Sequence, residues 1–211
     1  MSYGLIRAYH LIITAYGFWL PNDPRGSWSD FVRAWELLRF GPATKTNERR
    51  SLARDPHDVA LRREAKKHLA HKPVRFSGVQ ARAIARGFAQ YVLRSDCIIH
   101  ACSILHDHVH VVVARHHYPI ERVSTLLKGA ASTELLREGL HPFANEPYRD
   151  GRLPSPWARK EWSVFLHDDE QIRRAIRYVQ NNPLKEGCKK QSWSFVVPFE
   201  PEADLRSSRY A

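Results

Sequence analysis

The chain has 211 residues, enough for one domain with a sizeable insertion and a real buried core. Its 33 Lys and Arg stand against 22 Asp and Glu, a net charge of +11 that points to an anionic polymer rather than to a small-molecule pocket. Three cysteines, none in a CxxC pair, make no disulfide framework, and no window approaches the roughly 18 apolar residues of a membrane helix.

The opening residues MSYGLIRAYHLIITAY hold a short apolar stretch without a small-residue cleavage pattern, so they read as a strand over Ala8–Tyr16 and the chain as cytoplasmic. YGFWLPNDPRGSWSD follows, an aromatic loop ordered by the apolar area of its Trp and Phe rings. Residues 41–75 are charged and nearly free of large apolar side chains; they read as an exposed insertion with one short helix around Pro56–Leu69. From Ser77, a serine N-cap precedes Val79, Ile84, Phe88, Tyr91 and Val92 at helical spacing. CIIHACSIL and HVHVVVAR then form two strands joined at His106–Asp107, with Cys97 and Cys102 as buried thiols. ERVSTLLKGAASTELLREG is a second amphipathic helix ending at Gly139, and EWSVFLH a fourth strand. DDEQIRRAIRYVQNN is a helix with acidic residues complementing its N-terminal dipole, predicted to stop before Pro183. The order predicts a single α+β domain over 1–211, a ferredoxin-like split β-α-β with an antiparallel sheet and helices on one face, and a C-terminal tail after about residue 188.

Two patterns carry chemistry. In LHDHVHVVV, His108 and His110 occupy positions i and i+2 of a strand, on one face and about 6.6 Å apart, so they can converge on one cation. In AIRYVQNNPLKEG, Tyr178 and Asn182 lie at i and i+4, one turn apart on one helix face. Two imidazoles and an amide oxygen leave coordination positions for phosphate oxygens and admit Mg²⁺ or Mn²⁺. All three ligands are neutral, so such a cation is held weakly until DNA adds negative charge. P-loop, GxSxG and HExxH motifs are absent.

HDHVHVVV with YVQNNPLKEG resembles the HUH signature (His, hydrophobic, His) and tyrosine helix of single-tyrosine transposases. The likeness is strongest to the REP-associated branch, whose tyrosine helix reads Y-x-x-x-N-P-x-K/R-x-G and here is Tyr178, Asn182, Pro183, Lys185 and Gly187. The opening YHLIITAYGFWLPNDPRGSW is similar to the start of members of that branch. Two departures stand out. Leu105, His106 and Asp107 replace the Met-Pro-Asn that often precedes HUH, and Asn182 is one methylene shorter than the glutamine ligand of some relatives, which leaves Gln180 and Asn181 as alternatives.

The resemblance implies a metal-dependent endonuclease and transposase that cleaves and rejoins single-stranded DNA near hairpins. Tyr178 would attack a phosphodiester, keep the 5′ phosphate and release a 3′-OH, with His108, His110 and Asn182 as metal ligands. A free phenol, with a reference pKa near 10, is a poor nucleophile at pH 7, so the metal has to stabilise the developing charge. No general base is identified; His106 is the nearest in sequence to the motif.

For DNA contacts the residues near the site elements are Arg7, Arg25, Lys128, Arg159, Lys160, Arg173 and Arg177. Trp19, Trp28 and Trp157 are candidates to stack on bases at about 1–3 kcal/mol each, whereas Trp162, in a strand, reads as core. The partner implied is a REP-like DNA hairpin, bound by a monomer or a homodimer. Two other classes remain: a hairpin-binding protein without cleavage, and an RNA-binding module on the same topology, which would need an RNP-type aromatic motif that the strands lack.

Overall fold

The computed structural model describes residues 5–46, 52 and 55–201, which divide into two compact units, Met1–Thr14 with Arg75–Ala211, and Ala15–Val74. Residues 47–51 and 53–54 of the charged segment and 202–211 of the tail lie outside the described residues.

The first unit is built on a four-stranded antiparallel sheet of β1 (Ala8–Thr14), β2 (Ile99–Ile104), β3 (His108–Ala114) and β4 (Trp162–Leu166), in the order β2-β3-β1-β4. Helix α2 (Gly78–Leu93) joins β1 to β2, and α3 (Ile120–Arg137) joins β3 to β4, giving the split β-α-β arrangement. A capping box starts α2: the Ser77 hydroxyl accepts from the Gln80 amide, and the Gln80 side chain accepts from the Ser77 amide. The two crossover helices pack closely, because Gly87 sits where a Cβ would lie 2.6 Å from the Ala130 carbonyl oxygen. Glu134 is buried between them, bonded to Arg137 and Gln90.

Helix α4 (Asp169–Lys185) follows β4, capped by Asp168, which accepts from the Gln171 amide. Its Ile172, Ala175 and Val179 form a core cluster with Ala8, Ala101, Val112 and Leu166. Strand alternation places those four residues on the face opposite Leu11, Ile13, Val109, Val111 and Val113. The crossover helices share a face, as the sequence suggests, and α4 covers the other. Accordingly β2 is buried throughout and β3 at all but His108.

Helix α4 also runs past its expected end, through Pro183 to Lys185. The proline forfeits its own N–H bond, and its ring is buried. Beyond the helix, the Gln191 side chain bonds both backbone groups of Ile104, and Val197 N–H donates to Ile99 O at 2.9 Å, so the tail pairs with the β2 edge.

The second unit begins at Ala15, with the aromatic loop, rather than at residue 41. Its core joins Leu20, Leu37 and Ala65 to Val32, Phe40 and Leu69. These come from the loop, from a 3-10 helix at Trp35–Phe40 and from α1 (Val59–Lys67), which occupies the expected helical segment. Among the described residues, no helix is long and apolar enough to cross a membrane.

Candidate functional site

Strand β3 directs His108 and His110 to the sheet face that α4 covers, and their ring centroids are 4.8 Å apart. The β1–β3 register sets Ile12 opposite His110 and His10 opposite Val112, so His10 is the diagonal neighbour of His110 on the same face. His10 Nε2 lies 2.9 Å from His110 Nδ1. From above, α4 brings the Tyr178 ring to 5.4 Å from the His110 ring and 5.6 Å from the His10 ring. The four rings form one cluster, with Tyr178 41 % exposed at its open side and His110 only 3 % exposed at its base.

The hydrogen bonds define which nitrogen of each imidazole can act. His108 Nδ1 donates to Asp107 Oδ1 at 2.8 Å, so the lone pair of the neutral ring lies on Nε2. Arg75 approaches the same carboxylate at 3.6 Å. Between His10 and His110 one nitrogen must donate; when His110 Nδ1 donates, its Nε2 also becomes a ligand atom. Burial pushes His10 down to about 4. It also holds His110 well below the usual histidine range, with repulsion from protonated His108 and His10 adding to it. At neutral pH both are uncharged, the form a metal needs.

Asn182 follows Tyr178 by one turn and is 5 % exposed, and its Nδ2 has no hydrogen-bond partner among the described residues. An unpaired buried amide costs about 1–3 kcal/mol. Two imidazole nitrogens and an amide oxygen are donor types that suit a weakly held divalent cation with positions left for phosphate oxygens. Among the described residues, no group of three or more His, Cys, Asp or Glu is arranged to hold a metal ion. Any such site here must therefore draw on the amide and on the ligand's own oxygens.

Two contributors escaped the sequence reading. Only strand register reveals that His10 meets His110. Lys185 was noted as a motif residue, but its position is new: Nζ stands 4.9 Å above the Tyr178 ring. The i, i+7 spacing on α4 was the available signal.

The proposed DNA contacts divide sharply. Trp157 is 3 % exposed, packs on Phe76 at 4.8 Å between centroids, and donates Nε1–H to Ser132, so it is core and cannot stack on a base. Lys128 is held by Glu161 Oε2 at 2.9 Å and by the carbonyls of Ala158 and Arg159. Arg7 pairs with Asp169 and ties β1 to the first turn of α4. Within the second unit, Arg25 forms a two-point bond to buried Asp23 and stacks on Trp19, whose Nε1–H donates to Gly26 O. These side chains are occupied by structure. Arg159, Lys160, Arg173 and Arg177 are exposed, and Trp35, not anticipated, is the most exposed tryptophan at 82 %. Trp28 is exposed and Trp162 half-buried. His106 bonds elsewhere: its Nδ1–H donates to Phe76 O and its Nε2 lies 4.0 Å from Cys188 Sγ.

No family model and no curated protein matches the chain. Among solved structures it is similar to a REP-associated tyrosine transposase bound to a REP hairpin, at 12 % identity and a TM-score of 0.45, covering 92 % of this chain and 79 % of that one. It is also similar to a candidate transposase from Deinococcus radiodurans R1, at 15 % identity and a TM-score of 0.36, covering 86 % and 94 %. Both scores fall below 0.5, so neither likeness bears on the chemistry of the site.

Proposed function

We propose that the chain is a metal-dependent single-strand DNA endonuclease and strand transferase, which cleaves and rejoins DNA near hairpins through a 5′-phosphotyrosine intermediate on Tyr178. The observation that carries this is the clustering of a half-exposed phenol against His110, which stands beside His108 on one strand, on a chain of net charge +11. The sequence resemblance to single-tyrosine HUH transposases supports the same assignment.

In this account His108, His110 and Asn182 hold Mg²⁺ or Mn²⁺. Such a cation would polarise the scissile phosphate and offset the charge that builds on it. Tyr178 Oη forms a bond to phosphorus as the bond from phosphorus to the 3′ oxygen breaks; the phenol gives up its proton and the leaving oxygen gains one. Attack by a later 3′-OH reverses the step and joins strands without ATP. Lys185, beside the Tyr178 ring, adds positive potential where both the phenolate and the phosphate carry negative charge. Asp107 and His10 hold the two histidines in the tautomers that present Nε2.

The test is incubation with single-stranded hairpin DNAs and Mg²⁺ or Mn²⁺, followed by denaturing electrophoresis. A covalent adduct that disappears in Tyr178→Phe supports the proposal. Tight binding with no adduct across a broad set of hairpins assigns the chain instead to hairpin binding without cleavage.

A further inference from the structure

A second feature of α4 lies on a different face from Tyr178. Arg173, Arg177 and Gln180 occupy positions i, i+4 and i+7, and they line a cleft of about 400 Å³ whose opposite wall is the tail from Val196 to Phe199. The volume lies within the roughly 300–1,000 Å³ typical of small-ligand sites. Its wall is fixed: Val197 N–H donates to Ile99 O, and the Phe199 ring stands edge-on to His100 at 5.3 Å between centroids. Ile176 gives the cleft an apolar floor.

The two guanidiniums make this cleft unusual. Like charges one helical turn apart repel, and helices commonly offset such a pair with acidic neighbours. Here the acids of the first turn are engaged elsewhere, Asp169 with Arg7 and Glu170 with Arg174. Among the described residues, neither Arg173 nor Arg177 has a hydrogen-bond or ion-pair partner, and both are exposed. Two guanidiniums without a partner among the described residues, beside an aromatic ring and an amide, match the parts of a nucleotide: phosphate, base face and base edge.

Resting on the function proposed above, we propose that this cleft binds one nucleotide of the single-stranded DNA, outside the cleavage centre. Arg173 and Arg177 grip its phosphate, Phe199 supports its base, and Gln180 faces the base edge. Arg177 directly precedes Tyr178, so a strand whose phosphate lies at Tyr178 reaches the cleft by crossing α4. Sequence preference at that flanking position would then be set by Gln180 and Phe199.

The experiment measures affinity for a fluorescent single-stranded oligonucleotide as a function of salt, in the full chain. Arg173→Gln/Arg177→Gln should weaken binding at least tenfold at low salt and flatten the slope of log K against log salt by about 0.7, the value for one phosphate of a single strand. Phe199→Ala should weaken binding without changing the slope. Arg174→Gln, on the same helix but paired with Glu170, should change neither. A double variant indistinguishable from Arg174→Gln overturns the cleft, whether or not Tyr178 forms an adduct. The expected losses in a protein that never forms an adduct leave the cleft standing and refute cleavage. A wild-type protein that does not bind the oligonucleotide refutes both.

Discussion

His10 Nε2 and His110 Nδ1 face each other at 2.9 Å across two antiparallel strands, so the orientation of His110 is set by another histidine rather than by a carboxylate. His108 has the more common arrangement, with Asp107 on its Nδ1. Each imidazole of the HxH pair thus has its own anchor, one charged and one neutral.

Removing the neutral anchor should be felt at the metal. With His110 Nδ1 as the donor, His10→Ala removes its acceptor, and affinity for Mn²⁺ measured by calorimetry should fall about 10–100-fold. His10→Gln, which restores a carbonyl acceptor, should recover part of it. Nitrogen-15 shifts of the His110 ring should report loss of the Nδ1–H tautomer in the alanine variant. Unchanged affinity and shifts would mean that His10 is packing alone.

Asn182 is the ligand that an added charge can test. Asn182→Asp should raise Mn²⁺ affinity, since an anionic oxygen suits a hard divalent ion better than an amide does. Asn182→Ala should lower it while costing under about 1 kcal/mol of stability, because the lost amide nitrogen was already unpaired. If Asn182→Asp leaves metal affinity unaltered, Asn182 is a buried helix residue and not a ligand.

Acid should destabilise the metal-free protein. His10 titrates near 4 when folded and near 6.5 when unfolded, so between those values the unfolded chain binds more protons and stability falls as pH drops. From pH 7 to pH 5 the contribution of His10 is on the order of 2 kcal/mol, at about 1.4 kcal/mol per pH unit below 6.5, and His110 acts in the same direction. Urea midpoints in a chelator should show this loss, and His10→Gln should show less of it. Identical pH profiles for the two proteins would contradict neutral burial of His10.

The contact between α2 and α3 depends on a missing methyl group. In Gly87→Ala the new Cβ would lie 2.6 Å from Ala130 O and 2.8 Å from Ala131 Cα, both backbone atoms that cannot yield without moving a helix. Despite the better helix propensity of alanine, we expect a loss of about 1–3 kcal/mol, read as a lower thermal midpoint.

Much of this was legible in advance. The alternation in β3 and the 3.6-residue period of α2, α3 and α4 placed His108, His110 and Tyr178 on their elements, and the capping serine at 77 marked a helix start that the structure reproduces. What could not be read was adjacency and burial. His10 meets His110 only through the β1–β3 register, and Trp157 and Lys128 look like surface residues until the loop that carries Trp157, Ala158 and Arg159 is packed against α3, which carries Lys128. The aromatic loop at 15–30 belongs to the second unit because Leu20 shares a core with Leu37 and Ala65, a grouping that charge composition does not reveal. Pro183 signalled a helix end, yet one lost hydrogen bond in a final turn did not outweigh a buried ring.

The most direct test of the central claim is mass spectrometry on the product of wild-type protein, hairpin DNA and Mn²⁺ after digestion with nuclease and trypsin. Cleavage after Arg177 and Lys185 isolates the peptide Tyr178–Lys185, whose only phenol is Tyr178. We expect that peptide to carry a nucleotide through its 5′ phosphate, with a matching DNA fragment ending in a free 3′-OH. An adduct on any other residue, or one that persists in Tyr178→Phe, would contradict it.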